Sequence, residues 1–296
     1  MPRSHDTIIL GCSGLLGQAL QREAAHRGQR WIGVSRRAGL SLDLANEQQV
    51  ETVLDSLGGR TIINAAALAS IDACERQPAL AYAINARLPA VLAEYCGRRG
   101  VKWVQISTDH YFIGTSNERH DEASPVTLVN EYARTKFAAE AHAATCPEAL
   151  TVRTNIVGFR GWPGQPTFVE WAIGALRSGA DVTTYADVWS SSIDVDNFAV
   201  ALFDLIARNA TGLLNVAARD SVSKSEFILA LAQALDLDSS RCRIGSIAAQ
   251  AGVRRANALG LNVERAEHLL RRPLPDTRGV VQALSRAYRE NHHATV

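Results

Sequence analysis

The sequence predicts an α/β fold, a doubly wound parallel sheet with a smaller C-terminal lobe, and three observations predict it. Short β-branched runs alternate with longer amphipathic stretches over the first 160 residues. A glycine triplet stands between the first run and the first amphipathic stretch, and past Gly158 the alternation stops.

Thr7 to Leu10 is an apolar run of strand length, and Leu15 to Arg27 then places apolar residues at helical spacing. Trp31 to Val34 reads as the second strand, Glu47 to Leu57 as a helix, and Thr61 to Ile63 as the third strand. Ala79 to Cys96 reads as one helix, Val101 to Ile106 as the fourth strand, Tyr132 to Ala144 as a helix and Leu150 to Val152 as the fifth strand. Right-handed crossovers at this pitch lay the strands parallel, with helices on both faces. Residues 1–160 are therefore read as one domain. Gly161-Trp-Pro-Gly-Gln-Pro166 marks a loop. A helix from Phe168 to Leu176, short strands, and helices near Val195 to Ala207 and Ser225 to Leu235 follow. These make residues 161–296 a smaller lobe, interleaved with the first.

Composition excludes several functions. The 296 residues carry 31 basic and 30 acidic side chains, a net charge of +1, so no global field draws a polyanion and no nucleic-acid partner is expected. No apolar run approaches the roughly 20 residues of a membrane span. The first residues lead into Thr7 without a signal-peptide core, so the expectation is a cytoplasmic protein with no membrane partner. The cysteines at 12, 74, 96, 146 and 242 are far apart and form no C-x-x-C, which predicts buried thiols and no metal site.

The triplet reads Gly11-Cys-Ser13-Gly14-Leu15-Leu16-Gly17. Between a strand and a helix this spacing permits a tight turn, close approach of a pyrophosphate and close helix packing. The helix start supplies free N–H groups and a partial positive charge. A Rossmann-type dinucleotide site is the expectation. Such a site ordinarily has an acid at the end of its second strand to hold the ribose 2′-hydroxyl, but here that place reads Ser35-Arg36-Arg37. A guanidinium grips a 2′-phosphate that a carboxylate would repel, so NADP is expected rather than NAD. Asp43-Leu44 follows; its carboxylate either meets the adenine amino group or caps the helix starting at Glu47.

The fourth strand ends on Ser107-Thr108-Asp109, at the sheet edge where ligands sit. Downstream, Tyr132 and Lys136 are one helical turn apart and share a face. An ammonium beside a phenol lowers the phenol's pKa, and such a tyrosine exchanges a proton with a carbonyl oxygen. Lysine is rare here, at positions 102, 136 and 224 only, which makes the Tyr-x-x-x-Lys spacing the most specific feature of the chain.

These residues carry a resemblance. The chain is similar to extended short-chain dehydrogenase/reductases, and most similar to the dTDP-4-dehydrorhamnose reductase family, along nearly its whole length. The matching stretches are Gly11 to Gly17, Asn64-Ala65-Ala66-Ala67 with Asp72 and Glu75, Tyr82-Ala-Ile-Asn85, Ser107-Thr108-Asp109 with Phe112 and Gly114, Asn130-Glu-Tyr132 to Lys136, and Arg153-Thr154. The resemblance implies hydride transfer from NADPH to C4 of a keto-deoxysugar carried on a nucleotide diphosphate. It implies Tyr132 as proton donor, Lys136 as its electrostatic partner and ribose ligand, and Thr108 as a hydrogen-bond donor to the substrate oxygen. Ser107 stands as neighbour to Thr108, and Asn64, Ala65 and Ala66 line the cofactor. Asp109, His110, Asn155 and Arg254 are the candidate substrate contacts. A homodimer is compatible with the resemblance.

Departures from the family lie on the substrate side. Its R-T-S-W is Arg153-Thr154-Asn155-Ile156 here, its A-A-x-T is altered at Ala69, its D-Q-x-G-x-P-T is Asp187-Val-Trp-Ser-Ser-Ser-Ile193, and its R-P is Arg255-Ala256. The expectation is retained chemistry on a different sugar or nucleotide. Two alternatives stand beside it: an epimerase or dehydratase of the same fold, and a non-catalytic nucleotide-binding regulatory subunit.

Overall fold

The computed structural model describes residues 5–249 and 251–293. In chain order the elements are β1 (His5–Leu10), α1 (Leu15–His26), β2 (Trp31–Ser35), β3 (Leu40–Ser41), α2 (Glu47–Leu57), β4 (Gly59–Asn64), α3 (Ile71–Arg76), α4 (Pro78–Tyr82), α5 (Leu88–Arg99) and β5 (Lys102–Ile106). Then come β6 (Arg119–His120), α6 (Glu131–Ala144), β7 (Leu150–Arg153), β8 (Ile156–Val157), α7 (Phe168–Arg177), β9 (Val182–Tyr185), β10 (Trp189–Ser190), β11 (Ile193–Asp194) and α8 (Val195–Ala207). The chain closes with β12 (Gly212–Asn215), β13 (Val222–Ser223), α9 (Lys224–Ala234), β14 (Cys242–Gly245), β15 (Ala258–Leu261), α10 (Glu264–Leu270) and α11 (Thr277–His293).

Seven strands form one parallel sheet in the order β3-β2-β1-β4-β5-β7-β12. Side chains alternate across it. Ile8, Leu10, Ile62 and Trp103 enter one core with α2 and α5, while Ile9, Ile63, Val104 and Ile106 enter the other with α1, α6 and α8. Burying each such side chain stabilises the fold by about 1.5–3 kcal/mol. The strand order reverses between β1 and β4, and the crevice at their carboxyl ends is where such sheets take ligands.

The five expected strands and the helices of both halves are present, with ends shifted by no more than three residues. One expectation is corrected. The helix read from Ala79 to Cys96 is interrupted at Ala83–Arg87 by a wider π-type turn. There Asn85 turns inward, accepts from the Leu68 amide at 2.8 Å and donates to the Leu68 carbonyl and to Thr135 Oγ1. The chain also crosses between its two larger sheets. β12 pairs with β7 at the edge of the large sheet, and β6 pairs with β15 in a four-stranded sheet of order β13-β10-β15-β6. No described helix is long and apolar enough to cross a membrane.

Candidate active site

The glycine turn joins β1 to α1, and its three glycines have different reasons. Gly11 has φ +80°, and a Cβ there would stand 2.7 Å from the Ala66 backbone nitrogen. A Cβ on Gly17 would collide with the Gly11 carbonyl and sit 2.6 Å from Cys12 Cα. Both glycines are demanded by the turn itself. Gly14 is open by comparison, its nearest neighbour the Gly11 oxygen at 3.3 Å. It is the N-cap of α1, which carries no side-chain cap and no acid in its first turn, so the first N–H groups face outward for an anion.

Arg36 and Arg37 stand exposed at the end of β2. Arg37 lies 4.4 Å from the Trp162 ring centre, with Arg160 at 4.3 Å from the same ring. Several other residues expected near the cofactor have side chains engaged elsewhere. The buried Ser35 hydroxyl closes its own turn, donating to the Ala38 carbonyl at 2.7 Å and accepting from the Arg37 and Ala38 amides. Asn64 ties β4 to β5 through Gln105 at 2.8 Å. Ser107 donates to Glu140 at 2.6 Å, inside a buried cluster in which Glu140 takes three bonds from the Arg153 guanidinium. Leu16 and Leu44 are core residues, and Leu15 packs toward Gly158. The side chains of Leu16, Ser35, Leu44, Asn64 and Ser107 are thus engaged in holding the frame. Asp43 is exposed and accepts from the Ala45 amide, while the cap of α2 is Asn46, so the capping alternative for Asp43 falls. Ser13 and the partly exposed Ala65 and Ala66 remain beside the turn.

Helix α6 sets the chemistry. Asn130 caps it through the Ala133 amide and donates to the Arg254 carbonyl, and Glu75 accepts from the Glu131 amide. One turn in, Lys136 is buried and donates to the Ile106 carbonyl at 2.6 Å, fastening the helix to the tip of β5. Tyr132 is half-buried, and the nearby Thr108 hydroxyl acts on its phenol. Burial pushes the phenol up to about 12, against the lowering pull of Thr108 and helped by the negative Asp109. Burial brings the Lys136 ammonium down to about 8. The expectation that Lys136 lowers the Tyr132 pKa is therefore corrected: desolvation governs both groups, and the ammonium is bonded to a carbonyl.

Beyond Thr108 runs a polar wall. Asp109 is buried, accepts from Asn155 at 2.6 Å, and is pushed upward by its burial. Asn155 accepts from Ser192 at 3.0 Å, and Lys224 donates to Ser192 at 3.3 Å. His110 stands edge-on to Tyr132 with ring centres 5.9 Å apart, and burial lowers its pKa, favouring the neutral ring. Arg254 is exposed and lines a cavity of about 590 Å³ with Arg255, Asp187 and Asn257. The structure thus gathers Thr108, Asp109, His110, Tyr132 and Asn155, and leaves Arg254 at a neighbouring cavity. Sequence reasoning missed Lys224 and Ser192; the rarity of lysine was the available signal.

A family model described as RmlD substrate binding domain matches residues 5–289. A dTDP-4-dehydrorhamnose reductase of Mycobacterium tuberculosis is 32% identical over 228 residues, covering 74% of this chain and 72% of the relative. A probable low-salt glycan biosynthesis reductase, Agl14, of Haloferax volcanii is 28% identical over 231 residues, covering 74% and 77%. The crystal structure of dTDP-4-dehydrorhamnose reductase from Bacillus anthracis in complex with NADP superposes with a TM-score of 0.85 at 25% identity, over 95% of this chain and 98% of that one.

Proposed function

The chain belongs to the RmlD substrate-binding-domain family, and from that premise we propose that it is an NADPH-dependent reductase of a 4-keto-6-deoxysugar carried on a nucleotide diphosphate. The observation that carries the reading is the Tyr132 phenol, set near the Thr108 hydroxyl at the carboxyl edge of the sheet one turn before Lys136.

The residues present fit the cofactor. The uncapped start of α1 at Gly14 offers N–H groups to the pyrophosphate, and Arg36 and Arg37 offer guanidinium groups to the 2′-phosphate. NADPH, when bound, supplies the hydride. Thr108 donates a hydrogen bond to the carbonyl oxygen, stabilising the negative charge that develops there. Tyr132 gives that oxygen its phenolic proton. A phenol raised to about 12 is fully protonated at neutral pH, and a sugar alkoxide is more basic still, so the transfer runs downhill in the direction of reduction. Lys136 holds the helix that carries Tyr132 against the tip of β5 through the Ile106 carbonyl. Arg254, with Arg255 held by Asp72 at 2.8 Å, lines the cavity assigned here to the carrier diphosphate.

Replacing Tyr132 by Phe tests the reading. Turnover of a dTDP-linked 4-keto-6-deoxysugar, followed by NADPH absorbance, falls at least about 100-fold, while NADPH titrated by fluorescence binds as in the unaltered chain and at least about tenfold more tightly than NADH. A variant that retains full turnover removes the phenol as proton donor, and equal affinities for the two nucleotides remove Arg36 and Arg37 from the 2′-phosphate.

A further inference from the structure

Lys224 stands at the first position of α9, half-buried, with its ammonium 3.3 Å from Ser192 Oγ and 4.6 Å from the centre of the Phe168 ring. The negative charge that acts on it is Asp109, and its own charge acts in turn on His110. Among the described residues no carboxylate forms an ion pair with it. An ammonium has three donors, and withdrawing it from water is unfavourable unless those donors find acceptors. Ser192 takes one.

The wall that Lys224 completes, through Asp109, Asn155 and Ser192, begins one residue beyond Thr108. A sugar whose carbonyl rests on Tyr132 and Thr108 presents its other ring substituents to that wall. We infer that Lys224 is a substrate-positioning residue, its ammonium donating to an oxygen substituent of the sugar ring remote from the carbonyl under reduction. The inference rests on the reduction proposed above. The sugar, rather than the diphosphate, is its partner for two reasons. Asp109 beside it repels a phosphate but accepts from a hydroxyl, and Arg254 and Arg255 already supply cations at a separate cavity. The neighbouring groups that act with the ammonium are Asp109, His110, Asn155 and Ser192.

The test uses the full chain with NADPH, a dTDP-linked 4-keto-6-deoxysugar as substrate, and dTDP alone as competitive inhibitor. Lys224→Met raises KM for the sugar nucleotide about tenfold or more, leaves kcat within about threefold, and leaves NADPH affinity and dTDP inhibition unchanged; Lys224→Arg recovers most of the lost KM. An unchanged KM overturns the inference. So does a loss of dTDP inhibition in step with KM, which puts the ammonium on the diphosphate. Should Lys224→Met not fold, Ser192→Ala, which frees the ammonium from its anchor, is read instead: a KM raised about threefold or more supports the inference, and an unaltered KM overturns it. An unaltered chain inactive on dTDP-, UDP- and GDP-linked 4-keto-6-deoxysugars alike sinks the reductase reading itself, whereas an active chain indifferent to Lys224→Met sinks only this inference.

Discussion

Lys136 shows how one side chain serves both frame and chemistry. It is 3% exposed, its donor is fixed on Ile106, and burial has brought it down to about 8 from the ordinary lysine value of 10.5. Below pH 8 the ammonium is charged in folded and unfolded chains alike, and the folded state carries the full cost of burying it. Between about 8 and 10.5 the folded chain has released the proton and the unfolded chain has not, so stability rises with pH across that window. In paired denaturant titrations the unaltered chain therefore gains about 3 kcal/mol relative to Lys136→Met between pH 7 and pH 11. Parallel pH dependences for the two chains would remove the buried ammonium as the cause. The placement of Tyr132 and Lys136 one turn apart on the same helix was legible from a four-residue spacing, because helical geometry follows from sequence separation alone. The sign of the tyrosine's shift was not legible, because desolvation depends on what the rest of the chain stacks around it. Lys224 was hidden for a related reason. Ser223-Lys-Ser-Glu226 reads as the start of a helix, and so it is, with a capping box; the partner hydroxyl lies 32 residues away.

At the level of elements, the glycine turn separates folding from binding within seven residues. Gly17→Ala drives a methyl group into the Gly11 carbonyl and the Cys12 backbone, so α1 must shift away from β1. Gly14→Ala brings its methyl group to a tight 3.3 Å from the Gly11 carbonyl, a far smaller conflict than at Gly17, and puts it at the helix start, where a pyrophosphate would come. The expected outcome is a melting temperature lowered by about 5 °C or more for Gly17→Ala, and one nearly unchanged for Gly14→Ala, with NADPH affinity reduced about tenfold or more. Thermal melts and cofactor titration on the two variants check it; the reverse pattern would mean that Gly14 serves only the turn. Strands β1, β2, β4, β5 and β7 were legible because both sheet faces are covered, which makes each a continuous apolar run. The π-type turn at Ala83–Arg87 was not, since Asn85 and its partners Leu68 and Thr135 are distant in sequence. The hydroxyl of Ser107 likewise looked available at a strand end, and only the fold reveals Glu140 beneath it.

The molecule as a whole is stitched rather than stacked. Its large sheet ends on β12, contributed from residues 212–215, and α8 from the same half packs on α1. In exchange, Arg119 and His120 complete the smaller sheet beside β15. This exchange was beyond local reading: β12 is four residues long, Gly212-Leu-Leu-Asn215, and only its register against Leu150 to Arg153 makes it a member of the sheet. During synthesis the consequence is a matter of timing. The edge of β7 is bare, with its amide and carbonyl groups unpaired, until some sixty residues more have left the ribosome, and a bare parallel edge invites pairing with another nascent chain. A chain cut after residue 160 stays in that state permanently. It is expected to self-associate in light scattering and to become monodisperse when residues 161–296 are co-expressed with it; a fragment that is monodisperse and melts cooperatively alone would show that the last strand is dispensable.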